Sequence, residues 1–213
     1  MKIKKYTLLI GLLMASSIQS ICAQTQKGWD SFLKGDIDKA ISRFEKKAID
    51  GDINAAFVTG MLYLDDYFET YNIEQATKWL KLASDKGSGQ ASYNLFVLNY
   101  DQVLSETAAI TKGYLEKSAE QNLAQAHIFL SMLYSNSNPL FGNEEPVYTK
   151  VAEHSLKAYE LEKSPLTHFL VGSIYAMNDK FNFGVKQDTA LGVSHLEKAF
   201  DGGLIVAAIA LYD

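Results

Sequence analysis

The sequence predicts an all-α solenoid of stacked helix-turn-helix repeats. Three observations carry that prediction. Small and large residues recur in one register through the chain, apolar residues inside each unit keep helical spacing, and length differences collect in the loops between paired helices. The residues expected to close successive second helices are Gly51, Gly87, Asn122, Lys163 and Gly203, at intervals of 36, 35, 41 and 40. Seven positions before each stands a large apolar residue: Phe44, Leu80, Leu115, Leu156 and Leu196. Four positions earlier again the residues are small: Ala40, Ala76, Thr111, Ala152 and Gly192. Four positions past each closing residue comes another small one: Ala55, Ala91, Ala126, Thr167 and Ala207. Four markers holding one register through five units define a repeat.

The first residues stand apart from it. Lys2, Lys4 and Lys5 precede an apolar run from Tyr6 to Ala15, and a polar stretch ends at Ile21-Cys22-Ala23. That is the pattern of a secretory signal peptide cleaved after Ala23, with residues 1–23 removed and 24–213 forming the repeat domain. The apolar run is short of the roughly 20 residues a membrane-spanning helix needs. A lipidated Cys22 is the alternative, although Ile21 is larger than the residue such signals place before the cysteine. Losing three lysines takes the formal charge from −5 to −8, and Arg43 is the only arginine. An acidic, arginine-poor chain does not suit nucleic acid or anionic membrane as partners. Cys22 is the only cysteine, so an exported mature chain would hold its fold by packing without a disulfide.

Within each unit the first helix follows its small marker, as in Ala55-x-Phe57-x-x-Gly60-x-Leu62-Tyr63 and Thr167-x-Phe169-x-x-Gly172-x-Ile174-Tyr175. Tyr63, Tyr134 and Tyr175 share one position, taken by Asn99 in the third unit. A variable loop comes next, long in "SNSNPLFGNEEP" and "MNDKFNFGVKQD". Asn72 is placed to cap one second helix and Asp188 another, with Gly184 allowing the turn before it. Small residues at the marked positions let the paired helices approach closely.

These residues resemble the Sel-one-like repeat (SLR) family, relatives of tetratricopeptide repeats. Its pattern runs A-x-x-x-L-G-x-x-Y, then G-V-x-x-D-x-x-K-A, a large residue, and K-A-A-x-x-G. The closest copy is "FGVKQDTALGVSHLEKAFDGG", through Gly184, Val185, Asp188, Leu196, Lys198, Ala199 and Gly203. "EQATKWLKLASDKG" matches through Ala76, Trp79 and Ala83, while "GDIDKAISRFEKKAIDGD" looks more like a tetratricopeptide helix. The resemblance covers about residues 27 to 213 and implies a right-handed solenoid of about five helix pairs, the last incomplete. It also implies a non-catalytic scaffold that binds protein or peptide on its concave face, without a cofactor. The alternative is a cell-envelope enzyme or binding protein acting on peptidoglycan-type material.

No recognised catalytic motif appears, whether a nucleophile elbow, a phosphate loop or a dinucleotide fingerprint. His127 and His168 hold the same place in adjacent units, which repetition explains without a metal. Ser194 and His195 are sequence neighbours on a helix and cannot pair with each other. His195 fills the position of Trp79 and Tyr114, as a packing residue would. Three positions past the small marker stand Val58, Asn94, Phe129 and Leu170. The resemblance leads one to expect asparagine there, so the apolar members depart from it. If the row faces the groove, it suits an extended peptide or a partner helix; if packing is shifted, the row is core. With His127 and His168, these four are the candidate partner-binding residues.

The chain closes with "AAIALYD", the start of a new first helix at Ala207. An almost wholly apolar end lacks the polar face of a solenoid cap. It is expected to dock on the helix over 191–200 or to mediate self-association, unless the reading frame is truncated.

Overall fold

The computed structural model describes residues 26–100, 104–138, 142–177 and 180–212. The expected signal peptide, its cleavage point after Ala23 and Cys22 lie outside them. Eleven helices follow one another among the described residues: α1 Gln26–Leu33, α2 Ile37–Ile49, α3 Ile53–Leu64, α4 Ile73–Asp85, α5 Gly89–Tyr100, α6 Ser105–Glu120, α7 Ala124–Tyr134, α8 Tyr148–Leu161, α9 Pro165–Ala176, α10 Thr189–Asp201 and α11 Val206–Tyr212. Among the described residues there is no strand, only an isolated bridge between Asn138 and Asn143. The all-α repeat class is therefore as expected. The chain divides into two bodies after Leu95, within α5.

In the first body the hairpins α1–α2 and α3–α4 form the core. Asp36, Asp52 and Asn72 cap α2, α3 and α4 through side-chain oxygens that accept from the amides of Lys39, Ala55 and Gln75. Gly51 and Gly87 end α2 and α4 in the left-handed region, at φ +104° and +102°. At each end the next amide reaches back five residues, Asp52 to the Lys47 carbonyl and Ser88 to that of Ala83. These are Schellman closures, which satisfy the last carbonyls of the helix. Arg43 ties α2 to α1, its Nη1 donating to the Lys27 carbonyl at 2.5 Å and to Ser31 Oγ at 2.7 Å.

The second body continues the rule with α7–α8 and α9–α10. Asn122 at φ +60° and Gly203 at φ +92° close α6 and α10 with the same five-residue bonds, from Leu123 to Ser118 and from Leu204 to Ala199. Lys163 does not behave as expected. Helix α8 ends at Leu161, Glu162 is extended, and Ser164 caps α9 with Pro165 in its first turn. A residue before proline is pushed to extended backbone and lysine resists positive φ, so this junction runs straight into its cap without a left-handed closure.

Three of the four marker series form the core. Of the twenty residues, the five closing ones are exposed, and the other fifteen are buried except Leu156, which is half-buried. Close approach within hairpins comes from a further small position on the first helix. A Cβ built on Gly28 would lie 2.7 Å from the Phe44 ring, on Gly60 2.7 Å from Leu80 Cγ, and on Gly172 2.8 Å from Leu196 Cγ. The equivalent place in α7 is Ser131, whose Oγ bonds Ser155 Oγ of α8 at 2.8 Å. In α5 it is Phe96, fully buried. Loop length changes without moving the point of closure. The amides that begin the second helices, of Asn72 and Val147, both donate to the repeat tyrosine carbonyl, Tyr63 and Tyr134 respectively. Inside the longer loop, buried Asn143 donates its Nδ2 to the carbonyls of Leu133 and Asn136.

Candidate functional site

The row of four proposed from the register does not share one environment. Val58 is 3% exposed and belongs to the core of the first body. Asn94 is half-buried, and its Nδ2 donates to the Gln90 carbonyl one turn back at 2.8 Å. In the second body, Phe129 and Leu170 are both half-buried. Phe129 packs edge-to-face on Phe96, centroids 4.8 Å apart, and on Tyr100 at 5.2 Å. Phe96 and Tyr100 also contact each other at 5.0 Å, which completes a three-ring cluster. Phe96 gives this cluster a fixed floor, and Phe129 keeps part of its surface in solvent.

The two predicted histidines are joined to partners that register did not reveal. His127 of α7 faces His154 of α8 with Nδ1 atoms 3.0 Å apart, and His168 of α9 faces His195 of α10 at the same 3.0 Å. One imidazole of each pair therefore carries the Nδ1 proton and the other accepts it. Tyr134 lies flat against the His154 ring at 5.6 Å, and Tyr159 meets both rings of the second pair at 5.0 and 5.1 Å. Burial lowers the pKa of all four, carrying His154 down to about 4. Among the described residues no carboxylate is hydrogen-bonded to either pair, and no group of three or more possible metal ligands forms. The arrangement ties each pair of helices together through its two rings.

The chain therefore has the build of a helical-repeat scaffold. It is similar to the Sel1 repeat protein from Oxalobacter formigenes, at 25% identity and TM-score 0.68, over 82% of this chain and 48% of that one. It is also similar in fold to c5321, a protective antigen of uropathogenic Escherichia coli strains with an SLR fold, at 19% identity and TM-score 0.60, over 81% and 35% of the two chains. The chain spans about half or less of the length of these structures. No family model and no curated protein matches it. The likeness supports a relationship with the Sel1-like repeat family.

Proposed function

We propose that this chain is an exported scaffold that binds a protein or peptide through the second body, on the face where Phe129 and Leu170 remain partly open. The observation that carries the reading is the Phe96–Tyr100–Phe129 cluster. Aromatic rings held rigid by one another offer contact area at little entropic cost, which is how binding surfaces are anchored. Repeat architecture supports the same reading, since stacked hairpins present extended surfaces that suit partners rather than small substrates. His127 and His168 contribute from behind, by fixing the helices that carry Phe129 and Leu170. Export rests on the lysine-led apolar N-terminus, and mass spectrometry of the native protein is expected to find Gln24 first. No helix among the described residues is long and apolar enough to cross a membrane.

The experiment is capture by the immobilised mature chain from its own envelope extract, beside melting of the same proteins. Phe129→Ala with Leu170→Ala is expected to abolish retention of a species that the wild type holds, with little change in melting. Core residues would instead cost about 2–5 kcal/mol each, and binding would fall only with unfolding. Self-association belongs to the other end. Helix α11 docks on α10 through Ala207, against Leu196 and Ala199, yet Ile205 and Ile209 stay 77% and 64% exposed. A second copy covering this face is expected to raise the light-scattering mass of wild type, and Ile209→Ser to return it to that of a monomer.

A further inference from the structure

The chain has four histidines, and the two cross-hairpin pairs use them all. Each pair spans 27 residues, joins the first helix of a hairpin to its second, and places Nδ1 against Nδ1 at 3.0 Å. The first body contains no histidine. Two imidazoles at this distance can share one proton in a hydrogen bond. A second proton sets two N–H groups, each with part of a positive charge, against each other in a part-buried seam. We propose that the pairs form a duplicated acid-sensitive clasp, which holds α7 to α8 and α9 to α10 while each pair is neutral or singly protonated and loosens both hairpins when it is not.

The groups facing each pair come from more than one neighbouring element. Around His127 and His154 these are Tyr134 of α7, Lys150, Glu153, Lys157 and Glu160 of α8, and the Ala119 carbonyl of α6. Burial is the largest influence and favours neutral rings; the lysines act with it, and the two glutamates and the carbonyl act against it. Glu153 is itself bonded to Lys150 Nζ at 2.7 Å, which tempers its pull on the pair. Around His168 and His195 stand Lys198 of α10, Tyr159 of α8 and Lys163 of the link between α8 and α9. Here burial and both lysines oppose the charged form, with no carboxylate among the causes.

The direction of the pH effect follows. A histidine whose pKa is lowered by folding binds its proton more readily in the unfolded chain. Its contribution is whole above the ordinary value of about 6.5 and is lost as pH falls from there toward the folded value. For His154 that window runs down to about 4. Phe129 and Leu170 each lie two positions beyond a clasp histidine, so opening would alter the proposed binding face. That consequence rests on the binding reading above; the clasp does not.

Hydrogen exchange on the full chain at pH 7.5 and 5.0, corrected for the intrinsic pH dependence, tests the clasp. Protection across α7, α8, α9 and α10 is expected to fall by about tenfold or more, the change one unit of pKa difference produces, while α3 and α4 hold within about threefold. The matching positions in α3 and α4 are Ala56 and Trp79, both buried. His168→Ala with His195→Trp transfers that non-titrating pair into α9–α10. It is expected to remove the acid effect there and leave it in α7–α8. Should this variant fold poorly, the wild-type imidazole resonances decide alone, with all four midpoints expected below the ordinary value. Equal loss of protection in both bodies, an acid effect that persists in the folded variant, or midpoints near 6.5 would each overturn the proposal.

Discussion

Hairpins α3–α4 and α9–α10 are built to one plan and differ at three positions that can be compared one by one. Both set a glycine of the first helix, Gly60 or Gly172, directly against a fully buried leucine of the second, Leu80 or Leu196. Both begin the second helix with a side-chain cap, Asn72 or Asp188. Where α4 has Ala76, however, α10 has Gly192, and a Cβ there would sit 2.6 Å from the Ala176 amide nitrogen. Where the first hairpin has Ala56 and Trp79, the second has a histidine pair. The glycine–leucine contact sets how close the helices lie. Once that is settled, neighbouring positions can hold an indole or two imidazoles without altering the plan.

The most direct test of this comparison is at Gly192. Gly192→Ala must move backbone, because the obstacle is a main-chain nitrogen, and is expected to cost about 1–3 kcal/mol or more in denaturant unfolding. The reciprocal Ala76→Gly removes a methyl and loosens a helix, for about 1 kcal/mol. If Gly192→Ala proved neutral, the tighter closure of α9–α10 would be wrong. Leu80→Ala and Leu196→Ala probe what the hairpins share, and both are expected to cost about 2–5 kcal/mol. A clear difference between them would show that the two contacts are not equivalent. Removing the caps by Asn72→Ala and Asp188→Ala should lower stability by about 1 kcal/mol each, measured the same way. The smallest signal is spectroscopic. Tyr63 donates its hydroxyl to Glu45 at 3.0 Å, and burial with that carboxylate pushes its pKa up to about 12. Its stabilising effect is complete below pH 10 and fades as pH rises toward 12, so Tyr63→Phe should flatten that part of the alkaline unfolding curve.

Much of this plan was readable before any coordinate. The markers predicted the core because burial needs the same residue sizes at the same place in every repeat. Glycine or asparagine at four closing positions announced left-handed turns for the same kind of local reason. Lys163 misled because sequence spacing cannot distinguish a left-handed closure from an extended link, and Pro165 was the neglected clue. His154 was missed on a finer point. It lies two residues before Leu156, whereas His195 lies one before Leu196, so alignment by leucines separates them. Counting from one histidine to the next would have found both pairs, since each spans 27 residues. Val58 could not be assigned to groove or core from spacing alone, because its burial depends on which neighbouring elements cover its side of the helix, and the spacing of the row does not carry that.

The lone arginine has a practical consequence. An arginine-specific protease has a single peptide bond to cut in this chain, after Arg43, midway along α2. Proteases need their substrate strand unwound, and here the side chain they must grip is occupied by Lys27 and Ser31 of α1. Cleavage into two fragments would therefore clock how often the first hairpin comes apart, and nothing else in the molecule would contribute to the reading.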